Sequence, residues 1–337
     1  MLSEVTFVLV LVVILALAFD FINGFHDTAN SIATSVSTRV LSPKQAIIMA
    51  AGLNFLGALL SHKVAKTISS GLVSIENNSV GQYIVIATLI AAIIWDLITW
   101  YFGIPSSSSH ALIGGLLGAS IAYFGSFDIV IWKGVFKKVV VPLVTSPVIG
   151  FVLGYFIMSI LFRILRPFSQ RFVNRWFSKL QILSAAFMSL EHGRNDAQKS
   201  MGIITLALIS TNLLPKGADV PTWVMLACAV AMALGTSVGG WKIIKTMGVN
   251  MIRLQPIGGF AAETGAAIVI ATASTIGAPV STTHVISTSI MGVGASKRLS
   301  AVRWALARNI VWAWVLTIPI TALLGALMAL IIKFFVG

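Results

Sequence analysis

The sequence predicts an all-α integral membrane protein of about 10–12 transmembrane helices or half-crossings. These fall into two inverted repeats, each with a re-entrant helical hairpin. Composition carries the first half of that statement. Hydrophobic residues make up 57% of the chain and charged residues 10%, with a mean hydropathy of +0.96, far outside the range of soluble domains. Apolar runs recur from end to end, at residues 5–19, 83–94, 224–234 and 316–332. They are too long, and too poor in period-2 alternation, for barrel strands. Internal duplication carries the second half. NGFHDTANSIAT (23–34) is echoed by HGRNDAQKSMGI (192–203), VAKTIS (64–69) by IIKTMG (243–248), and PSSSSH (105–110) by PVSTTH (279–284). The three pairs keep their order and lie 169, 179 and 174 residues apart, so one half-length unit has been copied. A duplicated membrane unit with interrupted polar segments is the plan of a secondary transporter, its binding site lying where the copies meet.

Each repeat reads in the same order. An apolar helix ends in a polar break bearing an aspartate, Asp27 or Asp196. A second helix leads to the Lys-Thr segment, and a long helix then arrives at proline, hydroxyl residues and histidine. Pro105 and Pro279 lack a backbone donor and push the preceding residue out of helical geometry, so both should interrupt the chain within the membrane. Ser and Thr after each proline favour restarting a helix. The segments 111–120 and 285–295 are short and Gly-rich, as arms of re-entrant hairpins would be. Gly114 with Gly118, and Gly150 with Gly154, have the spacing that lets helices approach closely in lipid. The first repeat is assigned to 1–162, a basic cytoplasmic connector to 163–180 and the second repeat to 181–337. Inversion is expected because a high crossing number meets one dominant basic linker.

The net charge of +13 does not point to nucleic acid, because of where the charges lie. The densest cluster, Arg163, Arg166, Arg171, Arg175 and Lys179, joins two apolar runs and contains no acid. That is the positive-inside mark of a short cytoplasmic connection, and the interleaved aromatics also suit an amphipathic helix in the headgroup layer. Residues 1–22 lack the basic n-region and cleavage site of a secretory signal. The single cysteine, Cys228, reads as packing. The Gly235–Gly239 stretch matches a nucleophile-elbow pattern without its strand–turn–helix context, and no phosphate-binding loop or zinc spacing occurs, so nothing indicates an enzyme or a nucleotide-driven pump. Asn77-Asn78-Ser79 is a glycosylation sequon, of consequence only in a eukaryotic source.

Six of the ten acids sit in or beside apolar runs: Asp20, Asp27, Asp96, Glu191, Asp196 and Glu263. An ionised carboxylate in hydrocarbon costs about 3 kcal/mol even on the lenient insertion scale, so each should face a cavity, a cation or a partner. Asp27 and Asp196 lead because they occupy equivalent places in both copies. Asn23, His26 and Asn30 surround one; His192, Arg194, Asn195, Gln198 and Lys199 surround the other. Hard oxygen ligands of this kind suit Na⁺ or a proton. A purely structural ion pair is the alternative, and it weighs more for Asp20, Asp96 and Glu263, which have no counterpart in the other copy. The hydroxyl segments form the second constellation. A helix N-terminus presents unpaired N–H groups and a positive dipole end. Two such ends facing each other, Ser107, Ser108 and Ser109 opposite Ser281, Thr282 and Thr283, would cradle a small tetrahedral anion; ordinary caps are the alternative. His110 and His284 follow at the same offset and are read as structural.

With these residues in view, the chain resembles the inorganic phosphate transporter (PiT) family, close to its shorter bacterial members. FINGFHDTANSIAT and LEHGRNDAQKSMGIITLAL are similar to the family's two signatures. PSSSSHALIGG and PVSTTHVISTSIMG resemble its hairpin tips, and QPIGGFAAE (255–263) is a further shared block. The resemblance implies import of inorganic phosphate across the cell membrane by Na⁺ or H⁺ symport and alternating access. Phosphate would be held near the midplane by both hydroxyl segments, with Asp27, Asp196 and Lys199 at the same site. Asn23, Asp27, Asn30, Asn195 and Asp196 would serve the coupling cation, with a possible Na⁺ at Asp27 and Asp196. No other cofactor is expected; a homodimer is left open, and a sulfate permease of the same fold is the alternative. An ion channel or a membrane hydrolase is the rival from another class. Two departures bear on coupling: His26 precedes Asp27 where the commoner motif has asparagine, and Lys199 stands where many second motifs have asparagine. The second-helix position that is glutamate in animal members reads as Asn54.

Overall fold

The computed structural model describes residues 2–70, 73 and 79–336, so Asn77 and Asn78 of the sequon lie outside the described residues. Helices dominate: α1 (Leu2–Ser37), α2 (Pro43–Ala58), α3 (Lys63–Ser70), α4 (Ser79–Phe102), α5 (Ser108–Phe124), α6 (Trp132–Val135), α7 (Val141–Leu165), α8 (Gln170–Ser210), α9 (Thr222–Val238), α10 (Trp241–Lys245), α11 (Pro256–Thr275), α12 (Thr282–Lys297) and α13 (Trp304–Val336). Among the described residues the only β pairing is an isolated bridge between Val73 and Val130. Five helices among the described residues are long and apolar enough to cross a membrane, or up to seven spans if each bent pair counts as one. The pairs α2–α3 and α9–α10 bend by 66° and 63°. The equivalent segments of the two copies are thus broken alike, next to the repeated Lys-Thr sequences.

The halves run in parallel order, with α1 matching α8, α2–α3 matching α9–α10, α4 matching α11, α5 matching α12 and α7 matching α13. Two matched glycines make the hairpin turns. Gly103 and Gly277 have φ of +68° and +73°, a left-handed conformation that a Cβ disfavours. Each precedes its proline by two residues. Ser107 and Ser281 then cap α5 and α12 by accepting from the backbone N–H of His110 and His284 at 3.3 and 3.2 Å. The breaks expected at Pro105 and Pro279 are therefore present, and chain direction reverses at each.

The polar breaks expected at the two aspartates are not. α1 runs without interruption through Asp27, and α8 through Asp196. Neither motif contains proline, and a single glycine in a helix costs only about 1 kcal/mol. The glycines serve packing instead. A Cβ on Gly24 would lie 2.5 Å from the Met232 carbonyl of α9, and one on Gly193 would lie 2.2 Å from the Asn54 carbonyl of α2. The motif glycine thus lets each central helix meet a bent helix at backbone contact: α9 of the other half for Gly24, α2 of the other half for Gly193.

The paired glycines behave as their spacing predicts. Gly118 of α5 abuts the Ala322 carbonyl of α13, and Gly154 of α7 abuts the Ser289 carbonyl of α12. The last helix of each half therefore clamps the hairpin of the other. Both clamps carry an internal proline, Pro147 and Pro319. Their outer faces, including Val144, Val148, Val152 and Phe156 on α7 and Val311, Val315 and Leu323 on α13, are exposed, as lipid contact requires. The segment 163–180 is not a separate element. Arg163 closes α7, Ser169 caps α8, and the rest is the first part of that 41-residue helix. Phe172 and Trp176 are exposed there while Val173 and Phe177 are buried, which is an amphipathic stretch fused to the central helix.

Candidate functional site

α1 and α8 bring the two repeated motifs into one buried cluster. Ligand atoms of Asp27, His192 and Asp196 all lie within 4.8 Å of one another, and all three residues are buried. His26 holds Asp27: its Nδ1–H donates to Oδ1 at 2.6 Å, while Nε2 meets Thr99 Oγ1 at 3.0 Å. Asn54 holds His192. The imidazole Nδ1–H donates to Asn54 Oδ1 at 3.2 Å, and Asn54 Nδ2 donates to Thr236 Oγ1 at 2.9 Å. His192 Nε2 then faces Asp196 Oδ2 at 3.5 Å. Lys199 donates to Asp196 Oδ1 at 2.6 Å with its side chain 1% exposed, so the ammonium and the carboxylate compensate each other out of water.

The hairpin tips close over this cluster. Asn30 Nδ2 donates to Thr282 Oγ1 at 3.1 Å and Thr283 Oγ1 at 2.9 Å. Those hydroxyls donate onward, Thr282 to Asp196 Oδ2 at 3.2 Å and Thr283 to Asp27 Oδ2 at 3.3 Å. From the other tip, Ser109 Oγ donates to the Val280 carbonyl at 3.1 Å. The rings of His110 and His284 face each other with centroids 4.7 Å apart, and His284 stacks on Trp314 at 3.9 Å. Trp314 Nε1 in turn donates to the Pro105 carbonyl at 2.9 Å. Segments 174 residues apart in sequence therefore touch directly.

The expected site residues divide by their bonding. Asp27, Asn30, Asp196, Lys199, Thr282 and Thr283 form one hydrogen-bonded network. Ser108 and Ser109 are buried on the opposing tip, with the Ser108 hydroxyl beside the Asp96 carboxylate. Ser107 and Ser281 are caps first, with their oxygens committed to backbone N–H groups. Asn23 is buried with both side-chain atoms unpartnered, one helical turn before Asp27. Asn195 donates to Ser274 Oγ at 3.0 Å, on the α11 side. The side-chain oxygens of Asn23, Asn30 and Asn195 all lack donors, which leaves oxygen ligands open to a hard cation. The fold also assembles a second cluster. Glu263 of α11 accepts from Thr34 and Ser184, and from Gln181 Nε2 at 3.3 Å. Asp20 is buried beside the Ser200 hydroxyl and the Cys228 thiol, and Asp96 beside the Ser108 hydroxyl. Sequence reasoning singled out these acids but could not supply their surroundings, because Thr34, Gln181 and Ser184 reach Glu263 only through tertiary packing.

A fold of membrane helices in two matched halves, with hairpin tips meeting over paired acids, defines a multi-pass transporter of the cell membrane. The chain belongs to the phosphate transporter family (PHO4), whose model matches residues 23–173 and 166–325, one stretch per half. It is 54% identical over 319 residues to the "probable low-affinity inorganic phosphate transporter" of Bacillus subtilis, covering 94% of this chain and 95% of that one. It is 50% identical over 323 residues to the protein of the same name from Rhizobium meliloti, covering 95% of each. A solved structure described as the sodium-dependent phosphate transporter superposes with a TM-score of 0.87 at 26% identity, covering 97% of this chain and 99% of that one. The relatives are transporters, and the chain is a transporter rather than an enzyme. The nucleophile-elbow match at Gly235–Gly239 is the helical end of α9.

Proposed function

We propose that this protein imports inorganic phosphate by cation symport, with the two inverted halves rocking about a site between the hairpin tips. One observation carries the reading: Thr282 and Thr283 of one tip bond directly to Asp196 and Asp27 while Ser109 of the other tip bonds to the Val280 carbonyl. Anion donors and cation acceptors thus share one buried locus. Phosphate replaces the acids as the acceptor for the Thr282 and Thr283 hydroxyls and takes donors from Ser108, Ser109 and the first N–H groups of α5 and α12. Ser107 and Ser281 shape the two N-termini. Lys199, held by Asp196, supplies positive charge beside the anion. The coupling cation takes the carboxylates of Asp27 and Asp196, joined by the free amide oxygens of Asn23, Asn30 and Asn195, and so offsets repulsion between acids and anion. The basic stretch 163–180 faces the cytoplasm.

Selectivity follows from proton inventory. Near neutral pH phosphate keeps at least one hydroxyl donor, which Asp27 or Asp196 can accept, whereas sulfate has none and leaves a carboxylate facing an anion. Uptake of labelled phosphate into proteoliposomes, with sulfate as competitor, tests this. Phosphate should accumulate, and a tenfold excess of sulfate should leave the rate unchanged; equal competition by sulfate would contradict the assignment.

Coupling follows from Lys199. A fixed ammonium 2.6 Å from Asp196 fills space that a second cation would need, so we assign coupling to protons or to fewer Na⁺ ions than in relatives with asparagine there. The superposing transporter is sodium-dependent, which makes Na⁺ the ion to compare. A pH gradient alone should drive accumulation in the wild type, and Lys199→Asn should raise the response to a Na⁺ gradient. Wild-type uptake that ignores pH and takes as many Na⁺ ions per phosphate as the Lys199→Asn variant would overturn this.

A further inference from the structure

A groove of about 470 Å³ runs along the outside of the bundle between α7 and the end of α11. Its walls are apolar: Val141, Pro142, Ile149 and Leu153 on one side, Ile268 and Ile276 on the other. From Lys138 to Leu153 it follows α7 for about 22 Å at the helical rise of about 1.5 Å per residue. That exceeds the roughly 15 Å hydrocarbon depth of one leaflet, half of about 30 Å. At its head lies a second, more polar pocket of about 290 Å³ lined by Lys63, Lys66, Thr67, Lys138 and Gly277. Lys63 Nζ donates to the Thr275 carbonyl at 3.1 Å, keeping two further N–H groups. Lys66 pairs with the exposed Asp219 at 3.3 Å. Lys137, in the same basic run as Lys138, lines the head of the groove itself. Among the described residues, Lys63, Lys137 and Lys138 have no carboxylate within ion-pair distance.

We propose that this is a site for one anionic phospholipid, its phosphate at Lys63 and Lys138 and an acyl chain along the α7–α11 groove. Charge complementarity selects the occupant. A free phosphate ion would use the rim but leave a long apolar trough, and a zwitterionic lipid would fill the trough but bring its own cation to the lysines. Topology sharpens the point. α7 begins at this lysine rim and ends at the Arg163–Lys179 stretch, so if that stretch is cytoplasmic the rim sits in the outer leaflet. Lys63, Lys137 and Lys138 there run against the positive-inside bias and draw a compensating anion. The site also touches the transport machinery, because Gly277, Ala278 and Val280 line the groove and the Val280 carbonyl accepts from Ser109 of the opposing tip. A lipid seated there braces the turn that carries Ser281, Thr282 and Thr283.

The test is native mass spectrometry of the full-length purified protein titrated with dioleoyl phosphatidylglycerol or dioleoyl phosphatidylcholine. Phosphatidylglycerol adducts should survive at concentrations where phosphatidylcholine adducts do not. The Lys63→Gln/Lys138→Gln variant should weaken phosphatidylglycerol binding about 30-fold, from roughly 1 kcal/mol per surface lysine. Ile149→Trp, which fills the trough and spares both lysines, should weaken it as well, and melting curves identify any variant that has lost its fold; Lys138→Gln alone then replaces the double variant. Equal retention of both lipids, or retention indifferent to these substitutions, overturns the proposal. So does displacement of phosphatidylglycerol by millimolar inorganic phosphate, which would make the rim an ion site. A dimer whose copies cover the groove, with no lipid retained, overturns it too. None of these outcomes depends on which ion drives transport.

Discussion

Replacing either repeated aspartate with asparagine reduces concentrative phosphate uptake on the order of 100-fold, the scale of a lost contact to a charged group of about 3 kcal/mol. The two variants should differ in what else they lose. In Asp27→Asn the amide oxygen still accepts from the His26 Nδ1–H, and the amide N–H donates to a Thr283 hydroxyl turned to accept, so the contacts that position the tip survive and only the negative charge goes. The protein folds normally and does not accumulate phosphate. In Asp196→Asn the Lys199 ammonium, 1% exposed, is left without a counter-charge. An unpaired buried charge costs about 3–5 kcal/mol, so this variant loses stability as well as transport. Asp196→Asn/Lys199→Met removes both charges and should recover the melting temperature without recovering uptake. Uptake in reconstituted vesicles and melting in detergent, measured on all three, separate the two effects. Wild-type accumulation by both single variants would remove Asp27 and Asp196 from the mechanism.

Much of this arrangement was legible in the sequence because duplication acts as an internal comparison. Asp27 and Asp196 stood out from the other intramembrane acids by recurring, and the structure places them in one cluster with His192. The prolines announced the hairpins, since a missing N–H and a constrained neighbour are local properties. Continuity of α1 and α8 through the motifs was not legible. Polar residues in an apolar run look like an interruption until their partners are known, and the partners come from the other half: Thr282 and Thr283 for Asn30, Asn54 for His192. The same limit hides the setting of Glu263, whose three donors come from α1 and α8. Gly103 and Gly277 carried a usable signal, a glycine two residues before each proline at the repeat spacing, and their positive φ explains it. The capping role of Ser107 and Ser281 could not be told from a ligand role, because a helix cap and an anion ligand call for the same hydroxyl at the same place.

The glycine shared by both motifs gives the second large effect, on folding. Gly193→Val should yield no monodisperse protein, and Gly193→Ala should lower the melting temperature by several degrees; Gly24→Ala should do the same. A Cβ at Gly193 would stand 2.2 Å from the Asn54 carbonyl and 2.5 Å from its Cα, and a Cβ at Gly57 would stand 2.0 Å from the Leu190 carbonyl across the same crossing. These neighbours are backbone, so no rotamer change relieves the clash and α2 must move away from α8. Overpacking of a tight core ordinarily costs about 1–3 kcal/mol, and a helix crossing made through two glycines has no slack to absorb it. Gly52→Ala is the internal control. It lies on the same helix as Gly57 with nothing within 4 Å, so the better helix propensity of alanine should leave stability unchanged or slightly raised. The damage also reaches the site. Asn54 accepts from His192 and donates to Thr236 at this crossing, so a displaced α2 frees the imidazole that faces Asp196. Any Gly193→Ala protein that survives purification should therefore transport more slowly than its residual stability accounts for. Rates matching wild type per folded molecule would show that the crossing supports the fold alone.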